Sequence, residues 1–581
     1  MRDRRNTNLS TSSNASSHSA TSTAPTRTSM SEKRYSSPPP GEYLLPPPVT
    51  KENTTRPLSR RAHAFRLAAA LCAFFLFVRC FAAVPSLYES TSMLSHSASS
   101  EAKAEFDGGE ARPSEPAAFA VTGKAGRQRY TVSIPADAKF PLRASQYQEI
   151  CTQAEALSKS LSSKSKLSKI KGWRRKGAYD SQDAAYLEVH EAQSLGLLPE
   201  QPSASNVTTC ESSMTFAMDT EDASFGKSLL LLWMSYGLAK REGRAFFIDD
   251  SRWPYGKYTS YFAPPPQQEC VAPPPSQIVP CPHSAKHIVV SAATAQWTFG
   301  SSFAAEYAAA RKHGLEKSHR IFDLIRQGYE DLSHIVGDDA AWVVDRVKEL
   351  RKNGAATGQA VVGMQIRRGD LHPYEFEFSR DYLPLEQFTS AAHGLMHSLS
   401  PARSPGTPAT KESRQQSLLL ASDDPSLVDN HELSVAASPL TISPAQDRLL
   451  LATKAALDST SPAEPIREPG SAYVKHVDEN AGWDGGFYSS MFNNIGGSVT
   501  RGGNNGADDI VSEETMRVRE LIGKGYLLDL AVLGQSDGVV CAVSSAACRI
   551  LGVMMGWEAV EKGHWVNVDD GRAWSWDGRR W

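Results

Sequence analysis

At 581 residues with 40% hydrophobic content, the chain is long enough for two or three domains with sizeable cores once its tails are set aside. A net charge of -2 argues against a nucleic-acid partner, whose basic stripe would show in the balance. Residues 1–61 are rich in Ser, Thr and Pro with scattered Arg and Lys, a composition that cannot bury enough surface to fold, and they read as a disordered cytoplasmic tail.

Arg60, Arg61 and Arg66 then precede an apolar run over 67–84, interrupted by Arg79 near the end where its stem can snorkel to the interface. The flank ahead of the run predicts a transmembrane signal anchor over 62–84 with the remainder of the chain in the lumen, as in a single-pass type II protein of the Golgi membrane. A cleaved signal peptide suits so long a tail poorly, and a buried helix suits the flanks poorly. Residues 85–141, Ser, Ala and Pro rich with little periodicity, read as a flexible stem.

Cys72 and Cys80 fall in the anchor, leaving Cys151, Cys210, Cys270, Cys281, Cys541 and Cys548, an even set suited to an oxidising compartment; zinc is the alternative, but no Cys-x-x-Cys pair occurs. Asn206-Val207-Thr208 is a luminal sequon for an N-glycan.

A helical region is expected over 142–205, with a basic run at 164–176 that is either a solvated helix face or a contact for anionic lipid or glycan. An α/β domain follows over 206–356, with strands at 214–218, 245–248 and 288–290 and helices at 229–239, 303–312, 320–332 and 340–350. Its first turn carries Asp219, Glu221 and Asp222, which repel a diphosphate, and has only Gly226 among the glycines a phosphate loop wants.

A Rossmann-like domain is expected over 357–570. Its apolar strand at 360–366 runs into Arg367-Arg368-Gly369-Asp370, at the carboxyl edge where open α/β sheets place ligands. Guanidinium forks suit diphosphates; the bland alternative is an Arg-Asp clasp that closes the strand. A helix at 385–399, an insertion at 400–416, a strand at 418–420 closed by Ser422-Asp423-Asp424-Pro425, and a second loose insertion at 438–471 come next. Helices at 513–533 and 545–555 bracket a strand at 538–543, a last apolar stretch covers 564–568, and 571–581 read as a tail. Asp529 interrupts an apolar helix and needs a partner, either a salt bridge, solvent, or the two adjacent donors of a guanine. Ser544-Ser545 begin a helix after a strand, where a hydroxyl is either a cap or part of a phosphate site. Asp423-Asp424 suit an Asp-Pro turn or a brace for the arginines better than a metal.

The ordered set Arg367-Arg368-Gly369-Asp370, Ser422 to Pro425, Asp529 and Cys541 to Arg549 resembles the alpha-1,6-fucosyltransferases of the N-glycan core, with rhizobial and protein O-fucosyltransferases as broader relatives. The resemblance runs from about Cys210 to Val568 and includes the type II anchor. It implies an inverting, GDP-fucose-dependent enzyme on a GT-B-like scaffold of two α/β domains, with no essential metal or cofactor and a glycan or glycoprotein acceptor. A homodimer is compatible with it.

Carried over by position, Arg367 binds the GDP β-phosphate and assists its departure with Arg368 in support, Asp529 reads guanine, and Ser544 and Ser545 hold the pyrophosphate; Asp370, Asp424 and Gln365, which stands where the family has a His, are further nucleotide-sugar contacts. Glu375 takes the catalytic carboxylate's place, with Glu377 as its rival. Disulfides Cys541 to Cys548 and Cys210 to Cys270 are implied, while Cys151 and Cys281 either pair with each other or stay free. The departures are Gln365, the acidic first turn, Ala546 after the serines, no evident coiled coil and no C-terminal SH3 domain. Alternatives are a non-catalytic membrane-anchored glycan-binding or scaffold protein with the same fold, and a protein O-fucosyltransferase.

Overall fold

The computed structural model describes residues 113–122, 126–163, 179, 183–199, 208–219, 224–309, 312, 314–357, 360–368, 383–399, 417–450, 513–569 and 571–577. The expected cytoplasmic tail and anchor, Asn206, Glu221, Asp222, Asp370, Glu375, Glu377 and the insertion at 400–416 lie outside the described residues.

The stem reading of 85–141 is corrected at its end. Strands β1 (Ala117–Thr122) and β2 (Gln128–Ser133) pair antiparallel, with Ala117 opposite Ser133. Six-residue strands of mixed composition carry little periodic signal, and this pair is held by distant partners. Val121, Tyr130 and Val132 are buried, Gln153 of helix α1 (Ala144–Ser163) accepts the Ala118 amide at 3.0 Å, and the Tyr130 hydroxyl donates to Asp183 at 2.7 Å.

The first parallel sheet has the order β4-β3-β5, formed by β3 (Ser213–Ala217), β4 (Ala245–Asp249) and β5 (His287–Val290). Between β3 and β4 runs α2 (Phe225–Glu242), started by Ser224, whose hydroxyl accepts the Lys227 amide, and ended by Gly243 at φ 69°. It is apolar on all sides because it is covered on all sides: every residue from Phe225 to Ala239 except Lys227 is buried. After α3 (Ser301–Tyr307) comes α4 (His319–Leu332), which crosses α2 at two glycines. A Cβ on Gly237 would lie 2.1 Å from the Leu324 carbonyl oxygen, and one on Gly328 would lie 2.2 Å from that of Trp233.

Helix α5 (Gly337–Thr357) leads into the second sheet. Its members are β6 (Val362–Ile366), β7 (Ser417–Ser422), β8 (Thr441–Pro444), β9 (Gly538–Cys541) and β10 (Trp565–Asn567), all parallel in the order β10-β9-β6-β7-β8. Helices α6 (Leu385–Leu399), α7 (His431–Ala437), α8 (Glu513–Leu533), α9 (Ala546–Met555) and α10 (Trp557–Glu561) intervene. Strand β8 corrects the loose insertion expected from 438. Its Ser-Pro composition hid it, yet Pro is tolerated on an edge strand, where no ladder donor is missed on the open side. The expected tail is also packed in part: Trp574 is buried and its indole N–H donates to the Arg549 carbonyl at 3.0 Å.

Alternation along the strands divides the side chains between two cores. Val362, Met364, Ile366, Leu418, Leu420 and Val540 meet α6 and α7, whereas Leu419, Ala421, Val539 and Cys541 join the core shared with the first sheet. Gly363 faces Leu533 of α8 on that second side.

Candidate functional site

The chain passes from β6 outward to β7 and β8, then returns to lay β9 and β10 against the opposite side of β6. The strand order therefore reverses between β6 and β9, and ligands of open α/β sheets bind beyond the carboxyl ends of strands at such a reversal. Arg367 and Arg368 follow β6, and Ser544 and Ser545 follow β9, so both pairs flank this point.

The double arginine is half-buried just past a wholly buried strand. Asp423, 9% exposed, accepts the Arg368 amide and links the ends of neighbouring β6 and β7. Asp424 is committed elsewhere. Its carboxylate accepts both the amide (3.0 Å) and the hydroxyl (2.5 Å) of Ser426, capping the 3-10 turn Pro425–Asp429. The brace on the arginine loop is thus Asp423, which the sequence reading named only as a member of the pair. Gln365 is buried, and its Oε1 meets no donor among the described residues.

On the other side of the reversal, the Cys541–Cys548 disulfide ties the end of β9 to the first turn of α9. Asn567 accepts the Val543 amide at 2.9 Å, fixing the loop from β10. Ser544 and Ser545 are buried between these two ties, and Ser545 stands at the N-cap of α9 without spending its hydroxyl on a capping bond. An N-terminal turn with free amides and an uncommitted cap hydroxyl suits an anion.

Asp529 enters from α8. Its carboxyl accepts the backbone amide of Gln446, just beyond β8, and burial raises its pKa well above the usual carboxylate range against the smaller opposing effect of that bond. Gln446 was missed from sequence. It lies in a stretch without periodicity, and its position next to Asp529 follows only from β8 joining the sheet. Across the carboxyl edge the order is therefore Ser544-Ser545, Arg367-Arg368, Asp423, then Gln446 with Asp529, a span of about 14 Å for three strand spacings.

The middle of α8 packs on the carboxyl edge of the first sheet. Tyr526 meets Phe225 edge-on at 5.5 Å, and the Tyr261 hydroxyl donates to the Glu520 carbonyl at 3.2 Å. Arg519 is buried beside them, and desolvation lowers its pKa. One helix thus carries Asp529 and the aromatic contact with the first domain. At the opposite edge, Ala360, Asp537 and His564 open into a cavity of about 800 Å³ with Arg326 and Arg351. These residues precede β6, β9 and β10, so the cavity lies at the strand starts, away from the reversal's ligand edge.

All three expected or open cysteine pairings are present: Cys151–Cys281, Cys210–Cys270 and Cys541–Cys548.

No family model matches the chain, and no curated protein matches it. Among solved structures it is similar to the alpha-1,6-fucosyltransferase NodZ soaked with GDP-fucose, at 12% identity and a TM-score of 0.27, over 59% of this chain and 92% of that one. NodZ from Bradyrhizobium in selenomethionine form gives 13% identity and a TM-score of 0.28, over 58% and 91% of the respective chains. NodZ co-crystallised with GDP gives 12% and 0.25 over 58% and 91%.

Proposed function

We propose that the chain is a GDP-fucose-dependent fucosyltransferase of the Golgi lumen, transferring fucose with inversion to a glycan, with the N-glycan core and an alpha-1,6 linkage as the acceptor and bond its motifs resemble. The observation that carries the reading is the strand-order reversal between β6 and β9, which brings Arg367 and the Ser544-Ser545 turn to adjoining strand ends with Asp529 two strands beyond. A nucleoside diphosphate lying along that edge would meet a carboxylate at its base and cations and amides at its phosphates. Two parallel sheets bridged by α8 suit a GT-B-like scaffold, with the donor on the second sheet and the acceptor approaching from the first.

In this reading the acceptor oxygen forms a bond to the anomeric carbon as the bond from that carbon to the β-phosphate oxygen breaks. The electron pair leaves with GDP, and the acceptor's proton passes to Glu375. Arg367 supplies a planar fork, and α9 its first amides, where the leaving diphosphate gains charge. The buried Gln365 Oε1 would accept a donor from the nucleotide. The carboxylates of Asp219, Glu221 and Asp222 would repel a phosphate and suit the hydroxyls of a sugar acceptor.

Calorimetry with GDP-fucose followed by assay of GDP release across a panel of glycans tests the proposal. Saturable binding with release on at least one glycan is the expected result. Binding without turnover on every acceptor would favour the glycan-binding or scaffold reading, and release only with a folded protein acceptor would favour protein O-fucosylation.

A further inference from the structure

A second concentration of charge lies at the amino edge of the first sheet, away from the proposed donor site. A cavity of about 440 Å³ opens there between the last turn of α2, the loop before β5, α3 and the first turn of α4. Tyr307 is buried in its wall, stacked on Phe303 at 4.6 Å and meeting Tyr179 edge-on at 5.7 Å. Two guanidinium groups lie over the Tyr307 ring, Arg241 at 5.2 Å and Arg320 at 5.6 Å from its centroid. The ring attracts both cations, and an anion entering the cavity would meet two forked donors held against one ring.

The nearby carboxylates do little to supply that anion. Glu242 is taken by Arg244 at 2.7 Å and by His283 at 2.8 Å, and Arg244 gives three further N–H groups to the carbonyls of His283, Ala285 and Lys286. Arg320 gives one N–H to the Glu306 carbonyl at 3.0 Å. Among the described residues, the Arg241 guanidinium and the Lys286 ammonium form no ion pair or hydrogen bond. Arg241, Arg320 and Lys286 thus face Glu306 and Glu188, whose carboxylate accepts the Lys286 amide at 3.1 Å, an excess of one positive charge. A phosphomonoester brings negative charge and three acceptor oxygens for the two forked guanidinium donors.

We propose that this cavity binds a phosphomonoester, carried either by a sugar or by a lipid headgroup. The site is independent of the donor edge, so it is tested in the full chain carrying Arg367→Ala, which removes the proposed diphosphate contact. Calorimetric titration with glucose 6-phosphate and inorganic phosphate, and co-sedimentation with phosphatidylcholine vesicles with and without phosphatidic acid, separate the two sources. Saturable binding in either arm that weakens about tenfold or more when Arg241→Gln and Arg320→Gln are added is the expected result. Both arginines are exposed, and unchanged melting temperature without ligand shows that the variant folds. Binding in neither arm, binding untouched by the double substitution, or equal responses to phosphate, sulfate and chloride, meaning an adventitious ion only, would each overturn the proposal.

Discussion

Arg367 and Asp529 show how one side chain can be read at two depths. The arginine follows a fully buried strand, so its approximate place was available from the apolar run ahead of it; its neighbours were not, because they come from β7 and β9. On the proposed chemistry, Arg367→Lys keeps the charge but loses the planar fork, and kcat/KM for transfer should fall by about two orders of magnitude or more. Near-normal kinetics would remove β6 from the active site. Asp529 yields an opposite-signed pair of effects. Burial holds its pKa above the unfolded value near 3.9, so between the two pKa values the folded state binds the extra proton and stability falls as pH rises. Asp529→Asn cannot ionise and should raise Tm at neutral pH while leaving it unchanged below the unfolded pKa. GDP binding should weaken in the same variant, and in the parent it should strengthen as pH rises through the elevated pKa, because guanine requires the carboxylate. Melting curves and calorimetry at several pH values check both signs.

Helices and strands whose burial is continuous were legible from sequence, and those held by distant contacts were not. Helices α6 and α8 occupy the spans their periodicity predicts, and β3, β5, β7 and β9 sit within a residue or two of their apolar runs. The β1-β2 hairpin and β8 were read as stem and insertion because their stabilising partners, α1, Asp183 and β7, are remote in the chain. The crossing of α2 and α4 is a similar case. Gly237 and Gly328 are unremarkable within their helices, yet each lies against the other helix's backbone, which cannot give way as a side-chain tip can. Gly328→Ala should destabilise by at least about 1–3 kcal/mol despite the better helix propensity of Ala, measured by denaturant unfolding.

For the whole molecule, the three disulfides divide into two kinds. Cys151–Cys281 closes a separation of 130 residues and Cys541–Cys548 one of 7, for which chain entropy alone gives about 5 and about 2.5 kcal/mol. Cys151→Ser with Cys281→Ser should therefore lower Tm the more, whereas Cys541→Ser with Cys548→Ser should chiefly weaken GDP binding by freeing the serine turn. Equal loss of affinity in both pairs would deny the serine turn a special role. Type II topology makes a separate prediction: Asn206 carries N-glycan and the sequons at Asn8, Asn14 and Asn53 do not, a pattern that glycosidase treatment of single-site mutants reads directly.

From the sequence alone came the α/β character, the even cysteine set, and the arginine, aspartate and serine motifs, because strand burial and local turn chemistry act over a few residues. Tertiary structure decided which motifs adjoin. The β10-β9-β6-β7-β8 order places the residues after β6 beside those after β9, although more than 150 positions separate them in the chain, and it sets Gln446 against Asp529. Strand order is chosen by which faces can be buried together, a property of the assembled sheet and its two cores that no local stretch of chain encodes.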